Sequence, residues 1–523
     1  MRNAIFHKCG LAIASSLLLT ASFPKFNLYY LAWFALVPLL IAIRDLSSWN
    51  RFRIGFLTGL VHYFTLGYWL IHMLRTYGYL PIYVCLPIFF LLGTYLACYL
   101  GVFCTLLGYI SRKPIISVLF IPVLWTGLEY LRAFALTGVP WEFLGHSQFR
   151  NLSLIQISDL VGVYGISFLI ALANGIILMA ILGLTRQKWF NHTIFKNHLA
   201  VIIIIFTILM SMTLVYGQRR IQAVDRQIAD APLTKVAVIQ GNIEQALKWD
   251  VRFQLKTTLK YLKLSGKAQK QQPDLVVWPE TATPFYLQHN PTLSQLVRKG
   301  IIDTGADFLI GSPSFLRKPE SVDYYNSAYL IRSDGTISDK YDKSHLVPFG
   351  EYVPLGKYLT FLGKLVAQVG DFKAGEPGKT LPWRNHHLGI LICYELMFPT
   401  IARTQVNNKA DLLINITNDA WYGDTAAPFQ HFSIAVFRAV ENRRSLIRAA
   451  NTGISGFIDP AGRIIAPTPL FVEAVAVQSV PVIREKTFYT RHGDLFAQIC
   501  LALSLIVVIV QISLKFRNKQ SLG

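Results

Sequence analysis

The chain has 523 residues, 53% apolar and only 15% charged, with a formal net charge of +21. That is too apolar for an ordinary water-soluble protein. No basic run is interleaved with exposed aromatics in a soluble domain, which argues against nucleic acid as a partner.

The apolar residues cluster into candidate membrane spans over 5–22, 27–43, 54–74, 80–110, 115–135, 160–184, 199–216 and 495–514. Most are near the roughly 20 residues a helix needs to cross a bilayer. The expected architecture is a polytopic α-helical membrane bundle of eight spans, seven in residues 1–216 and the eighth, with a tail, in 491–523. Pro81 and Pro87 make the long fourth span a tilted or proline-broken helix. The first also fits a cleaved signal peptide, because Arg2 and Lys8 precede a short apolar core, but no small-x-small site precedes Pro24. With the N-terminus cytoplasmic, the inside segments hold thirteen Lys and Arg, from Arg2 and Lys8 through Arg112 and Lys113 to Lys515, Arg517 and Lys519. The short outside loops hold only Lys25, Arg75, Arg132 and Arg150. This bias places both termini in the cytoplasm and residues 217–490 outside. Much of the positive charge then reflects topology and attraction to anionic lipid.

From about residue 233 the pattern changes to short apolar strands separated by polar helical stretches. Strands are expected over Lys235–Gln240, Asp274–Trp278, Asp307–Gly311, Asn326–Arg332, His387–Cys393, Asp411–Ile416, Leu446–Ala449 and Ser455–Ile458. Helices are expected over about 251–270, 291–304, 397–407 and 430–444. Such alternation predicts a layered α/β domain. Four polar sites fall where α/β proteins place their chemistry, just beyond strand ends. Pro279-Glu280 follows the second strand, Cys393 the run Gly389–Ile392, and Thr417-Asn-Asp-Ala-Trp421 the run Leu412–Ile416; Lys343 opens a turn leading to Glu351.

Cys393 is the one cysteine of 217–490; Cys9, Cys85, Cys98, Cys104 and Cys500 lie in apolar segments. Without a disulfide partner, it is either inert filler or a reactive thiol. A thiol attacks a carbonyl as the thiolate, so it needs a base; Glu280 supplies one if packing among Trp278, Pro279 and Phe285 raises its pKa. Lys343, with the Tyr394 backbone N–H, could stabilise an oxyanion. Singly, Glu280 reads equally as a helix-start carboxylate and Lys343 as a solvated loop lysine. His345 and His431 raise a Cys–His dyad as an alternative base, although neither ends a strand. The histidines show no metal-binding spacing. Trp249 and Trp421 fit either a substrate pocket or plain packing. Glu129 and Arg132, one helical turn apart near a membrane end, either pair with each other or serve function. Leu355–Phe372 mixes Tyr358, Phe361, Leu362 and Leu365 with Lys357 and Lys364, as an arm lying at a bilayer surface and gating lipid entry would.

Six stretches carry a resemblance: Gln240-Gly-Asn-Ile243, Trp278-Pro-Glu-Thr281, Lys343-Ser-His-Leu-Val-Pro-Phe-Gly-Glu-Tyr-Val-Pro354, Ile392-Cys-Tyr-Glu395, Thr417-Asn-Asp-Ala-Trp-Tyr-Gly423 and Arg448-Ala-Ala-Asn-Thr-Gly453. The soluble segment resembles the nitrilase (carbon–nitrogen hydrolase) superfamily, whose Glu-Lys-Cys triad lies on an αββα sandwich. Over essentially its whole length the chain resembles the apolipoprotein N-acyltransferase family. The resemblance implies Glu280 as general base, Lys343 as oxyanion cation and Cys393 as nucleophile. It also implies that Glu351 and Glu395 support them and that Trp249, Tyr394 and Trp421 line the substrate pocket. Glu129, Arg132, Pro140 and Trp141 fall in a matching stretch. The implied reaction passes an acyl chain from phospholipid through a Cys thioester to the amine of a diacylglyceryl apolipoprotein in the bacterial inner membrane, without a cofactor. The alternatives are a membrane-tethered amidase that uses water and a transporter whose soluble part only binds.

Overall fold

The computed structural model describes residues 2–110, 113–190, 192–352 and 372–520. The chain divides into two compact units. One comprises Met1–Tyr68, Tyr83–Arg220 and His492–Gly523, the other Trp69–Ile82 and Ile221–Arg491.

The first unit is helical. Five described helices are long and apolar enough to cross a membrane: Ile82–Tyr109, Pro114–Phe134, Ser158–Leu184, Asn197–Asp230 and Leu495–Leu514. Counting the broken pair Ser48–Leu66 and Trp69–Thr76 as one span makes six. The two N-terminal candidates are shorter apolar helices, Ile5–Ala21 and Tyr29–Ile43. The second is divided into a 3-10 turn, Tyr29–Trp33, and a short helix, Val37–Ile43, because Pro38 lacks the N–H a continuous helix needs and fits only a first turn. The span expected over 54–74 stops at Leu66, where the Gly67 N–H caps the Tyr63 carbonyl. The span expected over 199–216 continues as helix to Asp230. Ile204, Ile205, Ile208 and Met212, like Leu505, Ile506 and Ile509, are more than half exposed. Side chains this apolar are stable facing hydrocarbon, so the helical unit is a membrane part.

The second unit is α/β. Its strands are β1 (Leu233–Gln240), β2 (Leu275–Val277), β3 (Asp307–Arg317), β4 (Val322–Ile331), β5 (Ile337–Asp342), β6 (Thr380–Trp383), β7 (His386–Ile392), β8 (Leu412–Thr417), β9 (Leu446–Ala450), β10 (Gly456–Ile458), β11 (Ile464–Ile465) and β12 (Ala474–Pro481). They form two six-stranded sheets, β12-β1-β2-β3-β4-β5 and β11-β10-β9-β8-β7-β6. β1, β2 and β3 run parallel, as do β7, β8 and β9.

Strand alternation builds the layers. Val236, Val238, Leu275 and Val277 face Leu388, Ile390, Ile392, Ile414 and Ile416 across the inter-sheet core. The intervening Ala237, Ile239 and Val276 pack outward against Tyr261, Leu264, Val297 and Ile301 of the helices Val251–Gln269 and Pro291–Thr304. On the other sheet's outer side lie the helices Pro399–Asn407 and Ala427–Asn442. Helix, sheet, sheet and helix follow in order. The C-terminal ends of β2, β7 and β8 therefore open onto one region between the sheets.

Candidate active site

Cys393 sits immediately after β7 with φ 52°, a left-handed conformation that a non-glycine residue holds only when its surroundings impose it. They do so on both sides. The Ile392 N–H donates to Glu395 Oε2 at 2.8 Å, and the Cys393 carbonyl accepts from His431 Nε2 at 3.2 Å. Burial, and then Arg448, push the His431 pKa below its usual value. The ring gives its Nε2–H to the elbow, while Nδ1 lies 3.1 Å from both Arg448 Nη2 and Asp419 Oδ1. Arg448 also donates to Asp419 Oδ2 at 2.7 Å and to Asn415 Oδ1. His431 therefore holds the backbone of the cysteine, and no Cys–His dyad forms. His345 packs at a tilt against Phe398, ring centroids 3.9 Å apart; burial, then Lys343, lower it to about 4.

Glu280 follows β2. Its Oε1 accepts from Asn326 Nδ2 at 2.7 Å and its Oε2 from the Asn418 N–H at 2.9 Å. The apolar pocket expected from Trp278 and Phe285 does not enclose the carboxylate. Trp278 points into the helix-side core, stacked on Tyr261 and donating to Ser265 at 2.9 Å. The Glu280 turn also crosses Gly311 so closely that a Cβ there would lie 2.2 Å from the Pro279 carbonyl oxygen. Only glycine admits this approach.

Lys343 follows β5 and is buried. Its Nζ donates to both Glu351 oxygens, at 3.0 and 2.8 Å. Asn326 Nδ2 bridges the two carboxylates, reaching Glu351 Oε1 at 3.0 Å. Glu395 joins this corner to the elbow: its Oε1 accepts from the Tyr341 hydroxyl, the Ser344 N–H and hydroxyl, and the His345 N–H at 2.7–3.1 Å.

These placements bring Glu280, Lys343 and Cys393 within electrostatic reach of one another. Burial, then Glu280, push the Cys393 thiol up to about 12, while Lys343 and a Thr417 hydrogen bond pull it down. Burial would lower Lys343, but Glu351, Glu280 and Cys393 outweigh it and hold the ammonium above the usual lysine range. The resting thiol is therefore protonated, beside a carboxylate with lone pairs to spare and a fixed cation. Such a set can add sulfur to a carbonyl as the proton leaves for the carboxylate.

Trp249, Tyr394 and Trp421 are half-buried; Tyr394 directly follows Cys393, and Trp421 lies three residues past Asn418. Tyr394 packs edge-on to Phe398, and Trp421 edge-on to Tyr77 of the Trp69–Ile82 segment in the same unit. In the helical unit Glu129 and Arg132 do not pair. Glu129 accepts from Trp125 at 3.0 Å and the Leu144 N–H at 2.7 Å, while Arg132 donates to the Trp141 carbonyl at 3.0 Å. Residues 355–371 of the expected arm lie outside the described residues. Among the described residues no cluster of three or more His, Cys, Asp or Glu could hold a metal ion. Sequence reasoning missed Asn326, Asn418 and Lys248. Asn418 lay within a recognised stretch; Asn326 and Lys248 carry no local signal.

Known proteins align with nearly the whole chain. The profile of the apolipoprotein N-acyltransferase N-terminal domain matches residues 15–176, and that of the carbon–nitrogen hydrolases matches 235–485. The apolipoprotein N-acyltransferase of Geobacter metallireducens is 43% identical over 510 residues, covering 97% of this chain and 95% of that one. That of Pasteurella multocida is 30% identical over 497 residues, covering 92% and 91%. Two named relatives thus align with nearly the whole chain, through its helical and its α/β parts alike, and on that ground this chain belongs to the apolipoprotein N-acyltransferase family.

Proposed function

We propose that the chain transfers an acyl group from phospholipid to the N-terminal amine of the diacylglyceryl-cysteine of an apolipoprotein, completing lipoprotein maturation. Glu280 takes the Sγ proton as sulfur adds to the ester carbonyl. Lys343 and the Tyr394 N–H hold the oxyanion. The tetrahedral intermediate collapses by breaking the C–O bond, and Glu280 returns the proton to the leaving alkoxide. A lysophospholipid departs and a thioester remains on Cys393. The acceptor amine then adds to the thioester; Glu280 takes its proton and passes it to the departing sulfur. The ester supplies the acyl energy, so the reaction needs no cofactor. Glu351 fixes Lys343, Glu395 fixes the elbow, and Trp249, Tyr394 and Trp421 contact the lipid chains.

We place the chain in the bacterial inner membrane with eight spans, both termini cytoplasmic and residues 217–490 periplasmic; the asymmetry of Lys and Arg among the loops supports this. The one observation that carries the acyl-transfer reading is the 43% identity to a named relative across 97% of the chain, helices and thiol unit alike. An amidase with water as second nucleophile needs no such helices and would not accumulate a thioester. Incubation with labelled phospholipid and intact-mass analysis of wild type, Cys393→Ala and Glu280→Ala tests it. A hydroxylamine-labile acyl adduct is expected only in wild type, stable until an amine acceptor is added. An adduct on Cys393→Ala, or rapid deacylation by water, overturns the reading.

A further inference from the structure

Lys248 ends the short helix Gln245–Lys248 and is 3% exposed. Lysine is almost never this buried unless paired, because desolvating an ammonium is costly. Yet among the described residues the acceptor of its three N–H donors is one atom, the Glu280 carbonyl oxygen, at 3.0 Å. Lys343, the other buried lysine of the site, is already committed to both oxygens of Glu351. Of the two carboxylates that share Asn326, Glu351 is therefore ion-paired to its own cation, whereas Glu280 has no direct ion pair among the described residues and lies within electrostatic reach of Lys343 and Lys248. The same short helix grips Glu280 a second way. Gln245 Oε1 accepts from Asn418 Nδ2 at 2.6 Å, and the Asn418 N–H donates to Glu280 Oε2.

We infer that Lys248 is a positioning residue of the site: its ammonium holds the Glu280 main chain and is the counter-charge shared by the Glu280 carboxylate and the sulfur anion of Cys393. The inference rests on the proposed acyl-transfer reading and deepens it. Burial lowers Lys248 to about 8, against the pull of Glu280 at the end of β2 and Cys393 at the end of β7, the charged groups that act on it from packed elements. Just outside its own short helix, Glu244 and Asp250 flank it in sequence. The charge is therefore present below about pH 8 and lost above it, and so is its support of the sulfur anion.

Alkylation of Cys393 by iodoacetamide, read by peptide mass across about pH 6 to 10 on full-length protein in detergent, tests this on wild type, Lys248→Met and Lys248→Arg. Lys248→Met is expected to slow alkylation roughly ten-fold near neutrality, with the gap to wild type closing above about pH 8. Lys248→Arg is expected to match wild type near neutrality and to exceed it above about pH 8. Equal slowing of Lys248→Met at every pH, slowing of Lys248→Arg to the same degree, or no slowing at all assigns Lys248 to packing and overturns the inference. If Lys248→Met does not fold, wild type and Lys248→Arg decide: divergence above about pH 8 supports the inference and coincident profiles overturn it. Thioester formation on phospholipid in the same preparations reports separately; its absence in wild type ends the acyl-transfer reading and leaves the alkylation comparison standing.

Discussion

Glu280 and Glu395 are both buried glutamates just past the end of a parallel strand, yet their neighbourhoods differ in one countable respect. Glu395 accepts from five donors: the Ile392, Ser344 and His345 N–H groups and the Tyr341 and Ser344 hydroxyls. Glu280 accepts from two, Asn326 and the Asn418 N–H. A carboxylate offers about four lone-pair sites. Glu395, with four donors on Oε1 and the Ile392 N–H on Oε2, ties the Lys343 turn to the cysteine elbow as a strut. Glu280 keeps acceptor capacity open, which is what taking a proton from a thiol requires. Residue type and strand-end position do not separate the two roles; the count of donors does.

The largest effect should come from removing the open carboxylate. Glu280→Gln is expected to slow acyl-enzyme formation about 1000-fold, within the range for general bases, without changing the unfolding temperature. Quenched intact-mass kinetics measure it, and a loss under about ten-fold would erase the distinction drawn above.

Glu395→Ala should do the reverse. Orphaning five buried donors is expected to cost about 3–5 kcal/mol of stability, read by denaturant unfolding in detergent. A variant as stable as wild type would show that Glu395 is no strut.

A subtler shift should follow from Gly311→Ala, where the new methyl meets the Pro279 carbonyl and must push the Glu280 turn aside. Acyl-enzyme formation is expected to fall about 10–100-fold; an unchanged rate would mean the turn yields freely.

The smallest effect concerns acid stability behind the elbow. Burial works against the Asp419 carboxylate, yet the Arg448 guanidinium and then His431 hold its pKa at about 2. A folded pKa below the unfolded value near 3.9 contributes stability that is complete above about pH 4 and lost as pH falls through about 2. Wild type is expected to lose about 2 kcal/mol across that window and Asp419→Asn much less, as acid titration of unfolding would show.

Much of this was legible in the chain. The apolar runs at Leu412–Ile416 and Lys235–Gln240 form strands because their valines, isoleucines and Ala237 find a buried layer on one face or the other. Cys393 and Glu280 stood out because strand ends are where α/β folds expose side chains. Other features were not legible. β12 becomes a strand by pairing antiparallel with β1, Leu233 opposite Pro481, a partnership across most of the unit. The helix break before Val37 and the continuation of a 35-residue helix to Asp230 reflect backbone capping and continuity that hydropathy does not read.

The sequence by itself determined which segments are apolar, which strands alternate, and which side chains stand where chemistry can occur, because those depend on residue type and short-range periodicity. Only the tertiary structure decided what each buried charge faces. Asn418 is 138 residues from the carboxylate it holds, His431 is 38 from the carbonyl it pins, and Lys248 is 32 from the carbonyl it reaches. Hydrogen bonding and desolvation act through distance in space, and no local pattern encodes it.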